Sequence, residues 1–564
     1  MSIGVSLVNM VRIIVPTIAV VLLVLFTRLS SKAQSVVSEI EMTDVLRMQQ
    51  LLDSSENPAR SFFIRSSFLY QDRIIKPNSF KVRPRAGIIH TGYTVQNNTD
   101  LPITENDGSL LPAIGMQQRA SIGAYFKWHF LSIQLQPEWV VAENLAPAPF
   151  TRDPLDNNYL SRYYHFIVNK IDLFERIGTE RLETFHWGQS NIRINFKNFS
   201  TGISSENLWW GPGRRNSLVM TNTAPGFLHY TFQTRQPWKT PIGNIEFQAV
   251  YGQLDNPRFE SPDHAMMRTF WEGGILQKPT ARRHMWGYAF SWNPKWIPGL
   301  HIGAAGTEQF YIDSVGVEPT FLILDAENKP GIQRLGALFA RYAMPKEQAE
   351  VYFEYGRANQ FASPFNIWSD TIPTGYVLGA RKLFPVRIMG KSHIEIAGEI
   401  TQLQLPDARL IFNTENVFSL PRTNSWYTHP FMTQGYTHDA QALGASIGPG
   451  SNAQRLDISW VQGYKRISFF GERVSRNTDF NYYNYLTGNL GNANADRQWV
   501  DLHFGFQARW DWGPFLFSGS IQRTHTLNYR WVKLEGGFSD PSPSSDRQNT
   551  RVQLSVMYQM KRKG

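Results

Sequence analysis

The chain contains no cysteine in 564 residues. Disulfides, thiolate metal sites and a lipid attached at a processed N-terminal cysteine are excluded. Beyond residue 26 no apolar run approaches the ~20 residues that a spanning helix needs. No Lys/Arg run precedes the terminal Lys561-Arg562-Lys563, and no nucleic-acid-binding module is visible, so no nucleic-acid partner is expected. No glycine-rich phosphate loop stands between a strand and a helix, and no cofactor is expected. A large exported chain without disulfides needs another way to hold itself together. A closed, hydrogen-bonded sheet is one.

Export is read from the first 33 residues. Arg12 is the only charged side chain from Met1 to Arg12, and Ile13 to Phe26 is apolar apart from Pro16. Ser31-Lys32-Ala33 places small residues at the −3 and −1 positions before Gln34. This is the pattern of a cleaved signal peptide, expected over residues 1–33.

What remains is aromatic without being greasy: 17 Trp, 22 Tyr and 37 Phe, with a mean hydropathy of −0.33. That combination fits a transmembrane β-barrel, with apolar-out, polar-in strands and aromatic girdles. A secreted soluble β-protein is the competing class. The formal net charge is +10, falling to about +7 once Arg12, Arg28 and Lys32 leave with the signal. A moderate positive excess suits anionic partners such as acidic polysaccharide or lipopolysaccharide.

Val37, Ile40, Val45, Met48 and Leu52 recur at helical spacing between Ser35 and Ser55, and Asn57-Pro58 follows. This predicts a helical element over residues 34–60, on the periplasmic side at or inside the barrel mouth. From about Phe80 the period becomes 2. Val351, Phe353 and Tyr355 alternate with Glu350, Tyr352 and Glu354; Ile394, Ile396 and Ile400 face away from His393, Glu395 and Glu399. The polar set is large and charged, which suits a wet interior. About 18 such strands fit before Met560, and an even count closes an antiparallel barrel. The expected fold class is therefore all-β: an antiparallel transmembrane barrel over residues 61–564, with a short N-terminal helical element. Some connections are short, such as Gly513-Pro514. Others are long and polar, such as Glu143 to Ser161, Leu405 to Asn452 and the Asn/Tyr-rich stretch Arg476 to Arg497.

Two stretches stand apart. Glu206 to Arg215 reads ENLWWGPGRR, in which Trp209 and Trp210 run into a Gly-Pro-Gly turn followed by Arg214 and Arg215. Adjacent strand residues point to opposite faces, so one indole is free to face lipid or protein while its neighbour faces the other side. The second stretch is Gly435-Tyr436-Thr437-His438-Asp439, followed by Leu443 to Asn452, rich in glycine. Together with Ser217-Leu218 and Asn222 before Pro225, they make the chain resemble the Wzi family of outer-membrane capsule-assembly proteins. The resemblance implies an 18-stranded barrel with a helical element on the periplasmic side. It also implies a lectin-like role, holding capsular polysaccharide at the cell surface. The chain departs from the enterobacterial pattern in its longer loops. It also ends in Met560-Lys561-Arg562-Lys563-Gly564, with Tyr558 as the last aromatic.

Glycan binding needs flat aromatic faces for sugar rings and planar cations for uronic carboxylates. Trp209, Trp210, Arg214, Arg215 and Asn222 offer that mixture in one stretch. Tyr482, Tyr483 and Tyr485, beside Asn484, offer it in another. Both clusters have a purely structural alternative: an interface girdle for the Trp pair, loop packing for the Tyr run. Gly435 to Asn452 reads as a backbone-shaped loop folded inward to constrict the lumen. Enzyme readings are weak. His429, His438 and Asp439 match no common zinc spacing, and His393, His503 and His525 lie on strands whose polar face contains Ser and Asp, without a sequence signal that brings a nucleophile and an oriented His together. The expectation is a non-enzymatic, monomeric outer-membrane barrel. It would bind and anchor acidic capsular or exopolysaccharide, in contact with outer-membrane lipid and lipopolysaccharide. The alternatives are an oligosaccharide porin or channel, or an accessory subunit of a surface assembly machine.

Overall fold

The computed structural model describes residues 39–53, 58–65, 85–148, 159–257, 259–261, 264–265, 267–268, 272–312, 331–358, 373–388, 390–405, 425–487, 498–531 and 545–558. The expected signal peptide lies outside them, as do residues 34–38 and 54–57 of the expected helical element. Eighteen antiparallel strands close into one barrel. In chain order they are β1 Arg85–Asn98, β2 Gly115–Trp128, β3 131–142, β4 182–196, β5 Phe199–Ser204, β6 229–240, β7 Gly243–Leu254, β8 Arg283–Pro294 and β9 Leu300–Tyr311. There follow β10 Ile332–Met344, β11 Ala349–Ala358, β12 Thr374–Val386, β13 Ser392–Gln402, β14 Asn452–Gln462, β15 Lys465–Ser475, β16 Val500–Trp512, β17 Phe515–Leu527 and β18 Arg547–Tyr558. β18 pairs with β1, with Val556 opposite Tyr93, so the sheet has no free edge to template aggregation.

The alternation read from sequence is the one that builds the wall. On β11, Val351 and Phe353 are 44% and 43% exposed, while Glu350, Tyr352 and Glu354 are 0%, 2% and 0% exposed. The apolar set faces lipid and the charged set faces the lumen. All eight connections at one end are tight; Gly463-Tyr464 and Gly513-Pro514 are two of them. The connections at the other end are long. Near the tight-turn end the outer wall carries exposed Phe130, Trp296, Phe384 and Trp512, an aromatic girdle at one interface. No helix among the described residues is long and apolar enough to cross a membrane.

The lumen is filled from both ends. Helix α1, Glu39–Leu52, enters at the tight-turn end. Val45, Met48 and Leu51 share one face of it, and Met48 and Leu51 pack on Ala343, Leu383 and Val461 of the wall. Its polar stripe is buried as well: Thr43, Arg47 and Gln50 are 1%, 1% and 2% exposed. A helix that buries both an apolar and a polar stripe, with Gln49 exposed, belongs largely inside a protein. From the long-loop end, two connections fold inward, residues 205–228 between β5 and β6 and residues 425–451 between β13 and β14.

Among the described residues, the long connections also carry the helices α2 Tyr159–Phe166 and α3 Thr478–Thr487. The Asn/Tyr-rich stretch read as loop is therefore helical in part. Its helix propensity is low, and tertiary packing overrides it. The Phe480 ring lies 4.8 Å from Trp531 and the Tyr483 ring lies 4.7 Å from Phe166, centroid to centroid.

Candidate functional site: an ion-paired plug

The connection from β5 dives into the barrel and forms a two-residue antiparallel ladder, Trp210 opposite Ile64 and Trp209 opposite Arg65. The ladder lies inside the lumen, so both of its faces meet protein. Trp209 and Trp210 are 1% and 0% exposed. Of the two surroundings open to an indole, lipid or protein, both Trp side chains meet protein, and the Trp pair is no part of the interface girdle. The Arg65 guanidinium stacks 4.6 Å above the Trp209 ring, and the Trp210 indole N–H donates to Gln248 Oε1 at 2.7 Å.

The Gly-Pro-Gly turn is built from close approaches. Gly211 has φ +136°, and a Cβ there would meet the Glu354 carboxylate and Ser217 Oγ. A Cβ on Gly213 would run into the backbone carbonyl of Asn216. Arg65 donates to the carbonyls of Gly211 and Gly213, at 3.1 and 2.5 Å. Glu354 accepts the N–H groups of Gly213 and Leu218, both at 3.0 Å.

Beyond the turn, three successive backbone N–H groups converge on one carboxylate. Arg214, Arg215 and Asn216 donate to Glu399 at 2.7, 3.1 and 2.8 Å. This is a backbone nest, a concavity suited to an anion, and here a wall residue fills it. Arg214 then reaches Glu395 and Asp44 at 3.0 and 3.1 Å. Arg215 reaches Glu105 and Glu472 at 3.0 and 3.3 Å.

Asp44 of α1 is the hub. Its carboxylate meets Arg214 of the inward loop, Arg381 of β12, Arg466 of β15 and Arg509 of β16, at 3.1, 3.2, 3.0 and 3.0 Å. Burial alone would raise its pKa. The guanidinium groups of Arg466, Arg214, Arg509 and Arg381 outweigh that and hold the carboxyl well below the usual carboxylate range. For Arg214 burial opposes the charge, but Glu395 and Asp44 keep it protonated far above any ordinary pH. One turn along α1, Arg47 pairs with Glu350 at 2.8 Å and donates to Pro212 O at 2.7 Å.

The second inward loop covers the first. Tyr427 OH donates to Leu218 O at 2.8 Å and accepts the Ala445 N–H at 2.6 Å. Tyr427 stacks on Tyr436, centroids 5.7 Å apart. The expectation that Gly435 to Asn452 folds inward agrees with this geometry. His438 Nδ1 accepts the Asp255 N–H at 3.0 Å, and His429 Nδ1 accepts the Met432 N–H at 2.9 Å, so both rings act as loop fasteners.

A cavity of ≈ 280 Å³ remains beside the plug, lined among others by Asp44, Arg214, Arg215, Glu399 and Arg455. The structure thus brings Trp209, Trp210, Arg214 and Arg215 together in the lumen. Asn222 is half-buried beside them, its carbonyl accepting the Gly108 N–H at 2.7 Å. The tyrosines lie apart. Tyr482 is half-buried, Tyr483 is 4% exposed, and the Tyr485 side chain lies outside the described residues. Sequence reading missed Asp44, Arg65, Glu354 and Glu399 as members of the site. The available signal was the pair of carboxylates four apart on β11 and again on β13, both on the inward face.

The family model for capsule assembly protein Wzi matches residues 94–516. The chain belongs to the Wzi family. Among solved structures, Wzi of Escherichia coli matches with a TM-score of 0.54 at 13% identity, over 92% of this chain and 98% of that one. That protein is described as an outer-membrane, carbohydrate-binding β-barrel involved in group 1 capsule assembly. OccAB1 of Acinetobacter baumannii follows with a TM-score of 0.40 at 10% identity, over 84% of this chain and 96% of that one. OccK5 of Pseudomonas aeruginosa gives 0.38 at 9%, over 84% and 98%. A comparison with curated proteins finds no match. Within the Wzi family, the WWGPGRR stretch of this chain is the keystone of a lumenal plug.

Proposed function

We propose that this protein is a non-enzymatic, monomeric outer-membrane barrel that binds acidic capsular or exopolysaccharide and anchors it at the cell surface. The tight-turn end faces the periplasm, and the long connections face outward, the usual asymmetry of such barrels. The observation that carries the reading is the occupied lumen. α1 from one mouth and residues 205–228 from the other meet through Asp44 and Arg214, an arrangement that suits holding a polymer outside better than passing it through. Family membership and the likeness to a carbohydrate-binding barrel support the same reading.

In this proposal Trp209, Trp210, Arg214 and Arg215 serve the glycan by shaping the plug beneath the loops. Direct contact falls to the outer surface, where Tyr482 is half-buried and Phe259, Leu276 and Phe431 are 47%, 48% and 60% exposed. The test is polymer partition in a deletion strain, with Trp209→Ala/Trp210→Ala as a second arm. Unchanged total polymer that moves from cells to medium is expected. Unchanged partition overturns anchoring, and large steady currents from the purified barrel in a planar bilayer would move the channel reading to first place.

A further inference from the structure

The outer wall changes character near the long-loop ends of its strands. On β6 to β8 the outward residues there are Tyr230, Tyr251 and Trp286, with the Tyr251 hydroxyl 3.0 Å from His284 Nδ1. This is an aromatic girdle. On β13 to β18 the hydrocarbon level is held by exposed Ile400, Leu456, Phe469, Phe504, Ile521 and Leu554. Beyond it the outward side chains include the amides of Gln454 and Gln548 and the guanidinium groups of Arg473 and Arg523, with Leu502 and His525 between them.

Arg473 on β15 is half-buried and donates to Asn452 Oδ1 and Gln454 Oε1, both at 3.2 Å. Arg523 on β17 is exposed and donates to Thr550 Oγ1 at 2.6 Å and to Gln548. The ladder places Gln454, Arg473, Leu502, His525 and Gln548 in one cross-strand row. Arg523 lies two residues from His525 on the same face. Their backbone positions are thus two strand spacings apart across the sheet and two residues apart along it, ~12 Å.

Neither arginine pairs with a carboxylate among the described residues. The lumenal Arg214, Arg381 and Arg466 each pair with Glu395. An unpaired cation at the edge of an apolar belt leaves its counter-ion to the surroundings. The anions found at that depth, directly above acyl chains, are headgroup phosphates. Arginine is well matched to them through its fork of donors. The intervening Leu502 and the apolar rows below offer a surface for the chains of the same lipid.

We propose that the β13–β18 face is a binding site for a phosphorylated outer-leaflet glycolipid of the lipid A class, with Arg473 and Arg523 as its phosphate ligands. The site rests on the outer-membrane placement proposed above, and not on glycan anchoring.

The test uses the full-length barrel in detergent and native mass spectrometry. Probes are bis-phosphorylated lipid A, the same lipid dephosphorylated, phosphatidylethanolamine and inorganic phosphate. The expected result is retention of phosphorylated lipid A about tenfold above the dephosphorylated form. Arg473→Gln/Arg523→Gln should lose most of that preference, Arg473→Lys/Arg523→Lys should keep part of it, and Tyr251→Phe on the aromatic face should keep all of it. Folding of each variant is checked by heat-dependent migration in detergent gels. Equal retention of the two lipid A forms, an unaffected Gln double variant, or displacement by inorganic phosphate each overturns the proposal. Lipid retention and polymer partition are read separately, so the failure of either proposal is distinguishable from failure of the other.

Discussion

Asp44 and Arg214 lie 3.1 Å apart inside the barrel, and this contact joins an element that enters one mouth to an element that enters the other. The same carboxylate holds Arg381, Arg466 and Arg509 of the wall. Asp44 is therefore the group on which plug and wall agree.

Asp44→Asn leaves four guanidinium groups around a neutral side chain. Breaking a buried charge cluster from one side costs on the order of 3–5 kcal/mol. The expected outcome is a lower melting temperature and discrete openings in a planar bilayer that the wild type does not show. A variant as stable and as silent as wild type would remove Asp44 from its place as hub.

Trp209→Ala removes the ring beneath Arg65 and leaves a cavity in a packed lumen, at a cost of about 3–5 kcal/mol. Trp210→Phe removes the donor to Gln248 and less volume, so its effect should be smaller. Limited proteolysis of folded barrels is the readout. Cleavage within residues 205–228 should appear for Trp209→Ala, weakly for Trp210→Phe, and not for wild type.

Gly213→Ala forces a methyl group against the Asn216 carbonyl. The turn then cannot hold the Arg214 to Asn216 N–H groups on Glu399. We expect a loss of plug protection comparable with Trp209→Ala, read by amide hydrogen exchange at residues 211–218. Protection equal to wild type would show that the turn tolerates a side chain.

Acid should loosen the outer cap before the wall. Burial holds the His429 imidazole down to about 4, and its neutral Nδ1 accepts the Met432 N–H. In the unfolded chain the ring takes up its proton near 6.5. The unfolded state thus binds more protons between those values. The contribution is complete above about pH 6.5 and is lost as pH falls toward 4, on the order of 3 kcal/mol for the full shift. His438, lowered first by burial against the pull of Asp439 and Asp255, acts with the same sign. Melting temperature against pH checks this, and His429→Gln should flatten the slope in that window.

The barrel could be read from sequence because its physics is local and repeated. Val351 and Phe353 alternate with Glu350 and Glu354 at period 2, and a one-residue slip would invert every side chain. The helix over Glu39–Leu52 was readable from apolar spacing for the same reason. The plug was not, because its logic is non-local: Arg47 pairs with Glu350 and Asp44 with Arg509, hundreds of residues away. The WWGPGRR stretch announced itself by composition. Whether its indoles meet lipid, sugar or protein depended on the ladder with Ile64 and Arg65, which no pattern in either segment encodes. The helix over Thr478–Thr487 was hidden for a similar reason, since packing of Phe480 on Trp531 and of Tyr483 on Phe166 overrides its low propensity.

One consequence follows from the order of these contacts along the chain. α1 precedes every barrel strand in the chain, yet its wall partners lie on β10 to β16, and the ladder partner of Arg65 is Trp209. Nothing can lock α1 until those strands have paired, because contacts so distant in sequence form late. Assembly then passes through a stage in which β10 to β16 have paired while the lumen they enclose is unfilled. Time spent in that state is set by docking, and a weakened hub would lengthen it without altering the finished wall.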